Sequence, residues 1–171
     1  KWALEPNMET PDRGFDFSSG SKIPDTDTTL RNFGGGSCGG GTLTDSLVES
    51  CNATFAQLGY EMGPEFARQM DQCGIHSAIP IDLSPKSAVS QGPTTTSEKP
   101  RFALAGIGQG DVFTSPLQMA LVAAAVANDG RLMKPRLTDR VVRKDGRVKE
   151  RVEADLQSKV MEPETADQKV E

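Results

Sequence analysis

The chain has 171 residues and a net charge of −5, long enough for one domain with a sizeable core, yet only 36% of its residues are hydrophobic and 5% aromatic. Its three cysteines are too few and too odd in number for a disulfide framework or a four-ligand zinc centre, and no His/Cys/carboxylate cluster surrounds the single histidine, His76. No secretory signal is visible, and the longest apolar run, 117–127, is too short to cross a bilayer.

In chain order, 1–11 reads as a helix tail and loop and 13–33 as irregular chain with short strands. The Gly-rich turn 33–42 carries Cys38. It has no G-x-x-x-x-G-K-[ST] pattern and follows no clear strand, so it is not a phosphate cradle. Residues 42–58 read as two short helices, with Leu43, Leu47, Thr54/Phe55 and Leu58 on one face and Thr42 with Asp45 set as a capping box. Between them Ser50-Cys51-Asn52 is poor helix, because Ser and Asn side chains compete for the backbone. A helix is predicted over 64–72, with His76 at the surface or helix end beyond it. A long loop rich in Ser, Thr and Pro follows over 79–100, then a loop over 101–110.

Thr114-Ser115-Pro116 starts a core helix that stops at Asn128-Asp129-Gly130, and its apolar run predicts burial. Asp145-Gly146 between β-branched runs predicts a hairpin over 138–152. Residues 153–171 are charged, with Pro163 as a helix-start or turn signal. Residues 131–151 hold nine Lys/Arg against three Asp/Glu, a local +6 against −11 elsewhere. No aromatic platform accompanies this ribbon, so a solvated hairpin with a charge-blunted edge is preferred to nucleic-acid binding.

Ser50-x-Asn52 followed by Phe-Ala-Gln-Leu-Gly resembles the S-x-N motif of penicillin-binding proteins, the transpeptidases that share a fold with serine β-lactamases. The stretch 106–130, GIGQGDVFTSPLQMALVAAAVANDG, resembles the Gly-Gln-Gly loop and buried helix that follow S-x-N there, and Pro135-Arg136-Leu137 matches the strand that comes next. S-x-N alone is weak; the two stretches in this order are specific. The resemblance runs from about residue 3 to 166 and is closest to the class B type, the Ser-Cys-Asn variant being similar to actinobacterial members.

The resemblance implies an α/β (α+β) penicillin-binding protein and serine β-lactamase-like fold. Residues 1–171 would form part of one transpeptidase domain, with a helical S-x-N subregion at about 42–130 and a basic β-hairpin at about 136–152. It also implies an acyl-serine mechanism acting on peptidoglycan stem peptides, inhibited by β-lactams. In it Ser50 relays a proton and Asn52 binds the substrate backbone and helps place the catalytic lysine. No cofactor or metal is expected. The implied parent is anchored in the cell membrane, catalytic domain outside, with other cell-wall synthesis proteins as partners and no nucleic acid.

The family's S-x-x-K and K-T-G are not recognisable. Ser19-Gly20-Ser21-Lys22 lies among Gly, Pro and Asp, whereas the nucleophile needs a helix turn to bring its lysine alongside. Lys144-Asp145-Gly146 is a hairpin turn. The chain is thus expected to be a central fragment, with Trp2-Ala3-Leu4-Glu5 as the tail of the first motif's helix. Cys38 and Cys51 are a possible disulfide if the parent lies outside the cytoplasm; free thiols packed as small apolar groups are the alternative. The plainer role for Ser50 and Asn52 is helix capping. The alternatives for the whole are a β-lactamase or β-lactam sensor on the same fold, or a non-catalytic interaction module.

Overall fold

The structure is a computed structural model that describes residues 11–15, 20–38, 41–81, 93 and 98–167. The chain divides into two compact units, one from residues 1–71 and 90–113, the other from 72–89 and 114–171. The helical stretch 42–130 is therefore shared between them. All strand pairs among the described residues are antiparallel two-stranded ladders, as an α+β chain requires.

In the first unit, β1 (Gly14–Phe15) pairs with β4 (Gly41–Thr42), and β2 (Gly20–Lys22) with β3 (Thr29–Arg31). Ser19 lies outside the described residues, and Gly20–Lys22 form a strand, not a helix. Helix α1 (Leu43–Val48) opens with the predicted capping box. The Asp45 N–H donates to Thr42 Oγ1 (3.2 Å), and the Thr42 N–H donates back to Asp45 Oδ2 (2.8 Å). Helix α2 (Asn52–Met62) follows, then α3 (Pro64–Gln72) where predicted.

The 101–110 loop is corrected: helix α4 spans Lys99–Gly106, with Pro100 in its first turn and Phe102, Ala103 and Ala105 buried. The rest of the predicted 79–100 loop, and the proposed helix tail at 1–10, lie largely outside the described residues. Helices α2 and α4 cross with backbones in contact. A Cβ on Gly59 would fall 2.2 Å from Phe102 O, and one on Gly106 would fall 2.3 Å from Phe55 O. Ala56 and Ala103 with Ile23, and Phe15 with Leu43 and Leu58, fill the space on either side.

In the second unit, α5 (Pro116–Ala127) is capped by a Ser115–Gln118 box. Gln118 is buried, and beyond accepting the Ser115 N–H (2.8 Å) it donates to Gly74 O (3.3 Å) in the turn after α3. Buried-helix behaviour holds for one face only. Leu121, Val122, Ala125 and Val126 pack on Leu132, Val160 and Met161, while Leu117 and Met119 are 37% and 50% exposed. A helix apolar all round needs cover on every side, and the described chain covers one.

The strand expected at Pro135-Arg136-Leu137 is also corrected: β5 is Arg131–Met133. It pairs with β8 (Leu156–Lys159), whose short, charged sequence gave no strand signal. Arg136 instead donates to Val152 O and pairs with Asp139. The basic hairpin is β6 (Arg140–Val142) and β7 (Val148–Arg151), joined by residues 143–147 with Gly146 at φ +82°. Its residues are exposed on both faces. Helix α6 (Pro163–Asp167) starts at the predicted proline, and His76 is half-buried in the turn after α3.

Candidate functional site

The joint between α1 and α2 is built as a Schellman turn. The Ser50 N–H donates to Leu47 O (3.2 Å) and the Cys51 N–H to Ser46 O (2.8 Å). The residue just past the helix end must then be left-handed, and that residue is Ser50, at φ +56°. Helix α4 closes by the same pair of bonds, from Gly108 to Ala105 O (3.0 Å) and from Gln109 to Leu104 O (2.9 Å), but with a glycine, Gly108 at φ +70°, in the left-handed place. Serine there meets a steric cost that glycine avoids, and such positions concentrate at functional sites.

Helix α2 begins without help from its own cap residue: Cys51 is the N-cap and makes no side-chain cap bond. The capping role predicted as the plainer alternative for Ser50 and Asn52 is therefore filled by neither. The acceptor comes from Asn32, whose Oδ1 takes the Ala53 N–H at 3.0 Å, and Asn52 instead donates its Nδ2 to Arg31 O at 3.2 Å. Beneath the joint, the buried hydroxyls of Ser46 and Thr54 bond to each other at 3.0 Å and tie α1 to α2.

The structure joins Cys38 to Cys51, with Cα atoms 5.9 Å apart, and packs both against Ala53. Ahead of Cys38 the chain turns at Gly34 and Gly35, both at positive φ. Ser50 is exposed and Asn52 half-buried, and both line a shallow cavity of about 300 Å³ with Leu47, Phe55, Gly106 and Ile107. A hydroxyl and a carboxamide thus face one opening over an apolar floor, an arrangement able to pass a proton and hold an amide backbone. The lining from α4, Gly106 and Ile107, could be read only as loop in the sequence. Asn32 gave no signal there, since its contact is with residues 21 positions away.

A second cavity of about 310 Å³ is lined by Lys22, Ile23, Tyr60 and Glu61 among others, and by neither Ser50 nor Asn52. The Tyr60 hydroxyl donates to Asp25 (2.8 Å), which raises its pKa, and the Lys99 ammonium stands 4.6 Å over its ring. Lys144-Asp145-Gly146 lies in the hairpin turn, where the Arg147 N–H donates to Asp145 Oδ1 at 3.0 Å. Among the described residues, no group of His, Cys, Asp and Glu is placed to hold a metal ion, and no helix is long and apolar enough to cross a membrane.

The family model of the penicillin binding protein transpeptidase domain matches residues 2–170. The peptidoglycan D,D-transpeptidase PbpA of Mycolicibacterium smegmatis is 37% identical over 124 residues, covering 68% of this chain and 24% of that protein. PbpA of Mycobacterium tuberculosis is 33% identical over 122 residues, covering 67% and 24%. The chain therefore spans about a quarter of the length of these relatives. Among solved structures, penicillin-binding protein A of M. tuberculosis as a ceftriaxone acyl-enzyme complex superposes with a TM-score of 0.78 at 27% identity, covering 92% of this chain and 36% of that one. The D,D-transpeptidase domain from Eggerthella lenta gives 0.77 at 26%, covering 96% and 42%. With the turn at Ser50-Cys51-Asn52 in place and these matches across nearly its whole length, the chain belongs to the penicillin-binding protein transpeptidase domain family and is similar to its class B, actinobacterial members.

Proposed function

We propose that the protein is a peptidoglycan D,D-transpeptidase that β-lactams acylate, and that this chain supplies its S-x-N residues. The observation that carries the reading is Ser50: a hydroxyl held in a left-handed turn position, beside the Asn52 carboxamide, on an open cavity. The D,D-transpeptidase names of the relatives and the acyl-enzyme complex of the structural neighbour support it.

In this reading a serine and a lysine, on segments not recognisable in this sequence, meet Ser50 at the cavity. The serine attacks the carbonyl of a D-Ala-D-Ala stem peptide, and the peptide bond breaks to give an acyl-enzyme and free D-alanine. Ser50 passes a proton between the lysine and the departing amine. Asn52, steadied by Arg31 O, offers its remaining N–H and its carbonyl to the substrate backbone and the lysine. A neighbouring stem peptide's amine then takes the acyl group and restores the serine. In this reading the protein acts on the outer side of the cell membrane, where stem peptides are crosslinked.

The test uses the full-length protein and benzylpenicillin, followed by intact mass. The wild type gains a penicilloyl adduct, and Ser50→Ala and Asn52→Ala gain it about a hundredfold more slowly or worse. Unchanged rates in both variants would remove the two residues from the mechanism. Persistence of the adduct separates a transpeptidase from a β-lactamase, which hydrolyses it.

A further inference from the structure

We propose that Asn32 is the positioning residue of the Ser50-Cys51-Asn52 turn, fixing the active arrangement from a segment that carries no motif. The proposal rests on the catalytic reading of Ser50 and Asn52 given above.

The first turn of any helix has N–H groups with no partner in the helix. In α2 the usual source of an acceptor, the N-cap side chain, is Cys51, which is bonded to Cys38. Asn32 fills the gap. Its Oδ1 takes the Ala53 N–H (3.0 Å) and lies 3.6 Å from Cys51 Sγ, while its Nδ2 donates to Gly36 O (3.2 Å). Both partners are backbone groups of fixed polarity, so the amide has one orientation that satisfies them and a flip that breaks both. Asn32 is 6% exposed, so water does not replace it.

The next residue back, Arg31, contributes the carbonyl that orients the Asn52 amide. Two consecutive residues therefore hold two consecutive residues, and a shift of Asn32 carries the Arg31 carbonyl with it. The Ser46–Thr54 bond holds α1 to α2 but does not set the rotation of the Asn52 amide. Asn32 does not line the cavity. Its effect passes through the start of α2.

The test is acylation of the full-length protein by benzylpenicillin at several concentrations, with the first-order acylation constant separated from the half-saturating concentration and corrected by active-site titration. Asn32→Leu removes both polar contacts at similar volume. It is expected to lower the acylation constant about ten- to a hundredfold, with titratable sites and half-saturation unchanged. Asn32→Asp keeps an acceptor for the Ala53 N–H at a helix N-terminus, where a carboxylate is favoured, but sets its second oxygen against Gly36 O, and is expected to recover only part of the rate. If Asn32→Leu yields no titratable sites, Asn32→Ser, too short to reach Ala53, takes its place with the same expected loss. A wild-type constant in the Leu or Ser variant overturns the proposal while Ser50→Ala and Asn52→Ala remain slow. If those two controls are themselves unimpaired, the catalytic reading fails and this proposal with it.

Discussion

Ser50 sits at φ +56° where the equivalent residue of α4 is a glycine, and an L-residue in that region loses about 1 kcal/mol relative to glycine through contact of Cβ with the following carbonyl. Ser50→Gly is thus expected to raise the stability of the protein by about 1 kcal/mol while slowing acylation as much as Ser50→Ala. Denaturant unfolding and penicillin acylation on the same sample check this, and a destabilised Ser50→Gly would mean that the hydroxyl, not the turn, dominates the site's energetics. The same contrast explains Asp129, at φ +52° just beyond α5, because Asp tolerates the left-handed region better than most residues.

Among the elements, the crossing of α2 and α4 places the cavity's walls. Gly59 and Gly106 let the two backbones touch, and the atoms that a methyl would strike are backbone, which cannot rotate away. Gly59→Ala is expected to cost roughly 3 kcal/mol or more by overpacking and to widen the cavity at Gly106; thermal unfolding with near-wild-type stability would show that the helices part freely.

Helix α1 adds a dependence on pH. Its capping carboxylate, Asp45, accepts the Thr42 N–H and hydroxyl and is held below its ordinary value of 3.8. A group whose pKa is lowered by folding stabilises the fold fully above its unfolded value and loses that contribution as pH falls through the lowered one. The protection of the α1 amides, taken relative to the intrinsic exchange rate at each pH, is expected to fall below about pH 4 in the wild type and to lose that added pH dependence in Asp45→Asn. Parallel profiles in the two proteins would assign the acid sensitivity to other carboxylates.

At the scale of the molecule, what was legible in the sequence was what local chemistry determines. The Thr42–Asp45 box, the break at Ser50-Cys51-Asn52, the helix 64–72 and the Asp-Gly hairpin all follow from side chains acting on backbone a few residues away. The rest was set at longer range. Helix α4 was hidden because Gly106, Gly108 and Gly110 read as loop, although the first is where α2 lands and the second only ends the helix. Strand β8 pairs with β5 across the whole basic hairpin, and its four residues carry no alternating pattern. The exposure of Leu117 and Met119 could not be read from an apolar run that looks buried on every side. In the hairpin the charge reading survives: Arg140 stands directly opposite Arg151, a like-charged pair that does not favour the ladder and leaves the edge unattractive to another strand.

The bond from Ala53 to Asn32 also sets a clock. Neighbouring amides deeper in α2 become protected when the helix itself forms, which for an isolated turn takes well under about a millisecond. The Ala53 amide has no partner in the helix and becomes protected only when the segment ending at Asn32 has docked. Under pulsed hydrogen exchange during refolding it therefore reports the moment at which the motif acquires its working shape. Until then the chain holds a formed helix and an unformed turn, so the contacts that set the Asn52 amide emerge later than the secondary structure that carries it.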